Sequence, residues 1–162
     1  MKFVFLLALA AAVACSRSTS PADSEIRNLY ARYASAVRQM DSASYMKFFA
    51  RDFSMRSPDG RVHDRAEMDK YQRINAITTK RVNAYTADLE AITHPTDSTT
   101  AVIVLQKYDR DQAPLEEPDK PHRIQTSAVQ REIWRITGER PRIWRIEEIL
   151  VGPLLIDGKL QQ

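Results

Sequence analysis

The side chains that could carry chemistry in this 162-residue chain are few and scattered. There is one cysteine, Cys15, and the histidines are His63, His94 and His122. Their separations fit no metal-ligand pattern, which needs donors at short, repeated spacings. No glycine-rich phosphate loop and no G-x-S-x-G elbow occurs. The 24 Lys and Arg are interspersed with 21 Asp and Glu, so the net charge of +3 comes from no basic run. Nucleic-acid binding is therefore not expected, and neither is a metal or cofactor. Cys15 has the most specific surroundings. Lys2 gives a positive start, the run from Phe3 to Val13 is apolar, and small residues close it, which is the layout of a secretory signal. The run is shorter than the roughly 20 apolar residues that span a bilayer. A lone cysteine makes no intramolecular disulfide, and a free thiol is a liability in an oxidising compartment.

The elements that must position any site follow from patterning. Removing residues 1–14 as a signal leaves one domain's length, with no internal repeat. Residues 15–21 read as the cysteine and a polar tether, 22–156 as the domain, and 157–162 as a C-terminal tail. Ser20, Pro21 and Asp23 suit a helix start. Ile26, Leu29, Tyr30, Tyr33, Val37 and Met40 follow at helical spacing. Asp41-Ser42 ends this helix and caps a second, with Tyr45, Phe48 and Phe49 as its apolar positions. Phe53–Ser57 reads as a short strand ending at the Ser57-Pro58-Asp59-Gly60 turn. Asp64 can cap a third helix that buries Met68, Tyr71 and Ile74. Strands then follow: Val82–Ile92 with Tyr85, Ala87, Leu89 and Ala91 on one face, and Ala101–Leu105, apolar throughout and covered on both faces. Asp109–His122 reads as an exposed loop. Two long strands, about Ile124–Ile136 and Arg142–Val151, join around Gly138. Three helices beside a strongly bent antiparallel sheet make an α+β domain.

Two resemblances add to this reading. Ala12-Val13-Ala14-Cys15 resembles the lipobox of bacterial lipoproteins, with Ala12 where that family prefers Leu. The resemblance implies acylation of Cys15 and an envelope location, on the periplasmic side of the outer membrane given Ser16. The alternative is ordinary cleavage after Ala14, leaving an incidental thiol. The second resemblance covers residues 22–151. Arg32-Tyr33 with Ala36 and Asp41, Phe48-Phe49-Ala50-Arg51-Asp52, Ser57-Pro58-Asp59-Gly60 and the Trp134-Arg135-Ile136 and Trp144-Arg145-Ile146 pair resemble, in order, motifs of the nuclear transport factor 2-like superfamily. That superfamily includes ketosteroid isomerases and SnoaL-like cyclases. It implies a cone-shaped fold around a pocket, and commonly a homodimer through the outer sheet face.

In the isomerases of this superfamily a first-helix Tyr and a late-strand protonated acid donate hydrogen bonds to substrate, and a turn Asp moves the proton. The resemblance places Tyr33, Glu132 and Ser57 at those positions. Serine cannot accept a proton near neutral pH without its own base, so family-type isomerisation is not expected. Period-2 alternation puts Gln130, Glu132 and Trp134 on one strand face, and Trp144, Ile146, Glu148 and Leu150 on one face of the next. Arg131, Arg135, Arg142 and Arg145 are expected to pair across strands with Glu147. The expected ligand-binding residues are Tyr33, Ser57, Glu132 and Trp134. The leading expectation is a lipid-anchored, non-catalytic domain binding a small apolar ligand or a protein partner. The alternative is a SnoaL-like or isomerase-like enzyme using Glu132 and Tyr33 for proton transfer. A third reading, a cone filled by side chains, requires the absence of a cavity of roughly 300 Å³.

Overall fold

The computed structural model describes residues 21–136 and 140–161. Cys15, the signal segment, the tether up to Ser20 and the Gly138 turn lie outside the described residues.

Helix α1 spans Pro21–Arg38, with Asp23 in its first turn and Arg38 in its last, both favourable to the helix dipole. Its inward stripe of Ile26, Leu29, Tyr30 and Tyr33 is at most 4% exposed. Met40 adopts φ 54°, which turns the chain, and Asp41 then caps α2 (Ser42–Met46) by accepting the Ser44 amide at 3.0 Å. Only Tyr45 of the three aromatics expected on this helix lies within it. Phe49 instead opens strand β1 (Phe49–Arg56). The chain extends early because Phe49 pairs with Ile143, and the Phe48 carbonyl accepts the Ile143 amide at 2.7 Å.

The turn at Ser57–Gly60 leads into β2 (Val62–Asp64), a strand not expected from the sequence. Gly60 has φ +85°, which an L side chain rarely adopts, and its amide closes the turn on the Ser57 carbonyl at 2.9 Å. Helix α3 (Arg65–Thr78) starts at a complete capping box between Asp64 and Glu67. Met68 is buried, but Tyr71, Ile74 and Ile77 are exposed, contrary to the expected inward stripe. Strand β3, at the sheet's edge, begins at α3's C-terminal cap, Thr79, so the last turns of α3 stand at that edge.

Four long strands follow: β3 (Thr79–Thr96), β4 (Thr99–Gln112), β5 (His122–Arg135) and β6 (Arg142–Val151). With two short strands, β7 (Leu155–Ile156) and β8 (Lys159–Leu160), they complete an eight-stranded sheet of order β2-β1-β6-β5-β4-β3, with β7 on β5. The fold is α+β, and the sheet is strongly curved, as expected. It is mixed, because β1 runs parallel to β6. Lys159–Leu160, within the residues expected as a tail, pairs as β8 with β7.

Three further expectations are corrected by pairing. The segment Asp109–Gln112 is strand, registered against Thr79–Ala84 on one side and His122–Gln125 on the other. A bulge between Leu89 and Ala91 shifts the phase, so Ala91 is exposed and Ile92 turns toward the core. A second bulge, where Ile133 pairs with Arg145 but Trp134 with Ile143, puts Ile143 and Ile146 inward. Trp144 therefore leaves the face shared by Ile146 and Glu148. It is flanked by the guanidinium groups of Arg135 at 4.3 Å and Arg145 at 4.0 Å. Arg135 forks onto Asp52 at 3.2 and 3.1 Å rather than pairing with Glu147. The core is built from α1, Phe49, Phe53, Val102, Val104, Trp134 and Ile143.

Replacing Asp64 by Ala removes the acceptor of two α3 amides. The expected loss is about 1 kcal/mol, read as a lower urea midpoint with an unchanged slope.

Candidate functional site

The inner wall of the cone is polar in an otherwise apolar core. On β4, alternation carries Val102, Val104, Gln106 and Tyr108 inward, and on β5 it carries Gln130, Glu132 and Trp134. Helix α1 lays Tyr30 and Tyr33 across these strands, one turn apart. The result is a continuous hydrogen-bonded network.

Its centre is Glu132, which is 0% exposed. The Tyr30 hydroxyl donates to Glu132 Oε2 at 2.6 Å, and Gln106 Nε2 donates to Oε1 at 3.0 Å. Trp134 Nε1 donates to the Tyr30 oxygen at 3.2 Å. Gln106 also donates to Gln130 Oε1 and accepts from the Tyr85 hydroxyl, both at 2.9 Å. Gln130 in turn donates to Glu148 Oε1 at 3.1 Å. Burial pushes the Glu132 carboxyl up to about 7, and the hydrogen bonds from Tyr30 and Gln106 pull against that rise. Burial likewise raises the phenols of Tyr30, Tyr33 and Tyr85 well above their ordinary value, so all three stay protonated donors.

Beside this network lies a cavity of about 310 Å³. Val37, Met40 and the rings of Tyr33, Tyr45, Tyr85 and Tyr108 give it apolar surface. Gln72, Asn75, Gln106, Gln130, Asp41 and Glu148 give it polar ends. Thr79, 5% exposed, lines it with a hydroxyl that has no hydrogen-bond partner. The volume reaches the roughly 300 Å³ of an ordinary ligand pocket, so side chains do not fill the cone.

The four residues singled out from the sequence occupy different places. Tyr33 lines the cavity, and its hydroxyl donates to Tyr45 at 2.9 Å rather than to Glu132. Glu132 and Trp134 stand behind the wall, and Glu132 meets the cavity only through Gln106. Ser57 sits in the β1–β2 turn, away from the cavity lining. Tyr30, one turn before Tyr33, is the residue that bonds the acid. Gln106 carries no signal of its own in the sequence, because it follows the apolar run Ala101–Leu105. The alternation of that strand, continued two residues past Val104, places it inward. Among the described residues, no group of three or more His, Cys, Asp or Glu could hold a metal ion.

No protein-family model matches the chain, and no curated protein matches it in sequence. Solved structures do match in shape. A conserved protein from Planctomyces limnophilus superposes with a TM-score of 0.66 at 16% identity, covering 82% of this chain and 98% of that one. An NTF2-like protein from Cytophaga hutchinsonii gives 0.59 at 11% identity, over 77% and 94% of the two chains. The fold is that of the nuclear transport factor 2-like proteins. A candidate scytalone dehydratase from Novosphingobium aromaticivorans shares this NTF2-like fold with a TM-score of 0.64 at 9% identity, over 78% and 83%. At such identities the likeness speaks for fold alone, because this fold hosts many functions.

Within the NTF2-like core, Glu132 makes stability depend on pH. Its folded pKa lies above its ordinary 4.5, so the folded state holds the proton longer than the unfolded one. Stability is full below about pH 4.5 and falls as pH rises through about 7, by on the order of 3 kcal/mol. Glu132→Gln copies the neutral acid. Urea melts from pH 5 to 8 should show a flatter stability profile in Glu132→Gln than in the parent.

Proposed function

We propose that this protein is a non-catalytic binding domain, anchored in the cell envelope through Cys15, whose NTF2-like cavity takes one small ligand with polar ends and an apolar body. One observation carries the non-catalytic reading. The buried acid, Glu132, is bonded on both oxygens by Tyr30 and Gln106 and is absent from the cavity lining. A general acid or base must come within hydrogen-bond reach of the proton it moves. The carboxylates that do line the cavity are Asp41 and Glu148. Asp41 is engaged as the cap of α2, and Glu148 accepts from Gln130.

The lining supports the ligand class. Tyr45 accepts from Tyr33, which leaves its own phenolic proton to donate, and burial keeps that phenol protonated. Thr79 offers a second unengaged hydroxyl. A ligand carrying a carbonyl or ether oxygen satisfies both. Envelope anchoring rests on the signal layout and the position of Cys15 alone.

A second reading, proton transfer by Glu132, draws on its pKa of about 7, which suits an acid or base at neutral pH. Substitution separates the two. Ligands captured from native membranes by the purified protein are identified by mass spectrometry and titrated back. Tyr45→Phe is expected to weaken binding about ten-fold, the size of one hydrogen bond of about 1.4 kcal/mol, and Glu132→Gln to leave it unchanged. Turnover of an enolisable ketone that is lost in Glu132→Gln would overturn the non-catalytic reading. Cys15→Ser protein that still partitions with membranes after signal removal would overturn the anchor.

A further inference from the structure

A second, larger recess lies along α1 and α2 and shares Ala36 and Asp41 with the lining of the cone cavity. It measures about 580 Å³ and runs from Glu25 along α1, past Ser44 and Lys47, to the start of β6 at Arg140–Arg142. Its floor is apolar: Leu29 is 4% exposed, Ala36 is 6% exposed, and Phe48 is half-buried. Four cations ring it, Arg32, Lys47, Arg140 and Arg142, against two carboxylates, Glu25 and Asp41.

The charges are not balanced internally. Asp41 is committed to Ser44, whose hydroxyl and then amide hold its carboxyl below the ordinary range. Among the described residues, Arg32, Arg140 and Arg142 make no ion pair, hydrogen bond or ring stack. Elsewhere on the surface, Arg123 pairs with Asp109, Arg81 with Asp111, Arg73 with Asp69 and Arg135 with Asp52, while three partnerless guanidinium groups gather at this one recess. An apolar trough edged by unengaged guanidinium forks suits one ligand chemistry. The forks match the planar oxygens of a carboxylate or phosphate, and the floor buries an aliphatic body.

We propose that this recess binds an amphipathic anion, a phosphate or carboxylate head on an apolar chain, with Arg32 and Arg142 holding the head and Leu29 and Phe48 the chain. The same chemistry is presented by a free alkyl phosphate and by an anionic phospholipid. Arg32, Arg142, Leu29 and Phe48 line this recess and not the cone cavity, and the proposal does not rest on the function proposed for that cavity.

The test uses the signal-processed Cys15→Ser chain, which carries no acyl anchor, with decyl phosphate below its micellar concentration, inorganic phosphate, and vesicles of phosphatidylglycerol or phosphatidylcholine. Decyl phosphate is expected to bind saturably, at least ten-fold more tightly than inorganic phosphate, and more weakly as salt rises. The double variant Arg32→Gln, Arg142→Gln is expected to lose at least ten-fold, and Lys47→Gln less, with far-ultraviolet spectra and melting unchanged. Tyr45→Phe, in the cone cavity, leaves decyl phosphate binding unaltered. Co-sedimentation with phosphatidylglycerol vesicles, lost in the double variant, identifies the headgroup as the source. Decyl phosphate binding without it identifies a free anion. The proposal is overturned if neither probe binds, if the double variant binds decyl phosphate as the parent does, or if inorganic phosphate binds as tightly.

Discussion

A carboxyl group enclosed in an apolar core is the constraint around which this domain is arranged. Glu132 has no water to solvate it, so every polar atom it needs must come from the protein. Tyr30 comes from α1 and Gln106 from β4, so the acid ties the first helix to the middle of the sheet. Trp134 then fixes the Tyr30 hydroxyl, and Tyr85 and Gln130 fix the Gln106 amide. Each partner is oriented by a further partner, which is how a buried polar network specifies one arrangement and rejects near alternatives. Leaving any member unpaired costs more than the bond itself is worth. The network therefore holds α1 in one register on the sheet, and the cone cavity forms beside it.

The same network decides what the cavity can do. Gln106 and Gln130 present neutral amides to the cavity and hold the acid behind them. The tyrosines supply rings for contact and hydroxyls for recognition. Buried phenols with raised pKa values donate hydrogen bonds and do not abstract protons at neutral pH. Neutral amides and protonated phenols thus make up much of the lining, beside the carboxylates of Asp41 and Glu148.

Much of this was legible in the chain. The first helix, the Asp41 cap of the second, the Asp64 capping box, the Ser57–Gly60 turn and the long late strands each follow from local rules of spacing and turn chemistry. The shared inward face of Gln130, Glu132 and Trp134 follows from alternation alone. Elements failed where pairing overrode propensity. Phe49 is apolar and helix-compatible by spacing, yet β6 draws it into a parallel pair. Asp109–Gln112 is charged, yet neighbours on both sides hold it as strand. Trp144 and Ala91 alternate correctly in sequence and are displaced by bulges.

By itself the sequence determined the α+β class, three helices with an early strand among them ahead of the long strands, the shared face of Gln130, Glu132 and Trp134, and the apolar segment ahead of Cys15. These depend on periodicity and composition, which act over a few residues. Only the tertiary structure decided that Tyr30 and not Tyr33 bonds Glu132, that Ser57 stands apart, and that Gln106 is the acid's link to the cavity. A helix offers both tyrosines on one face, and the choice between them depends on how that helix is set across the sheet. That setting arises from contacts between residues about a hundred positions apart, such as Tyr30 and Glu132, which no local pattern encodes.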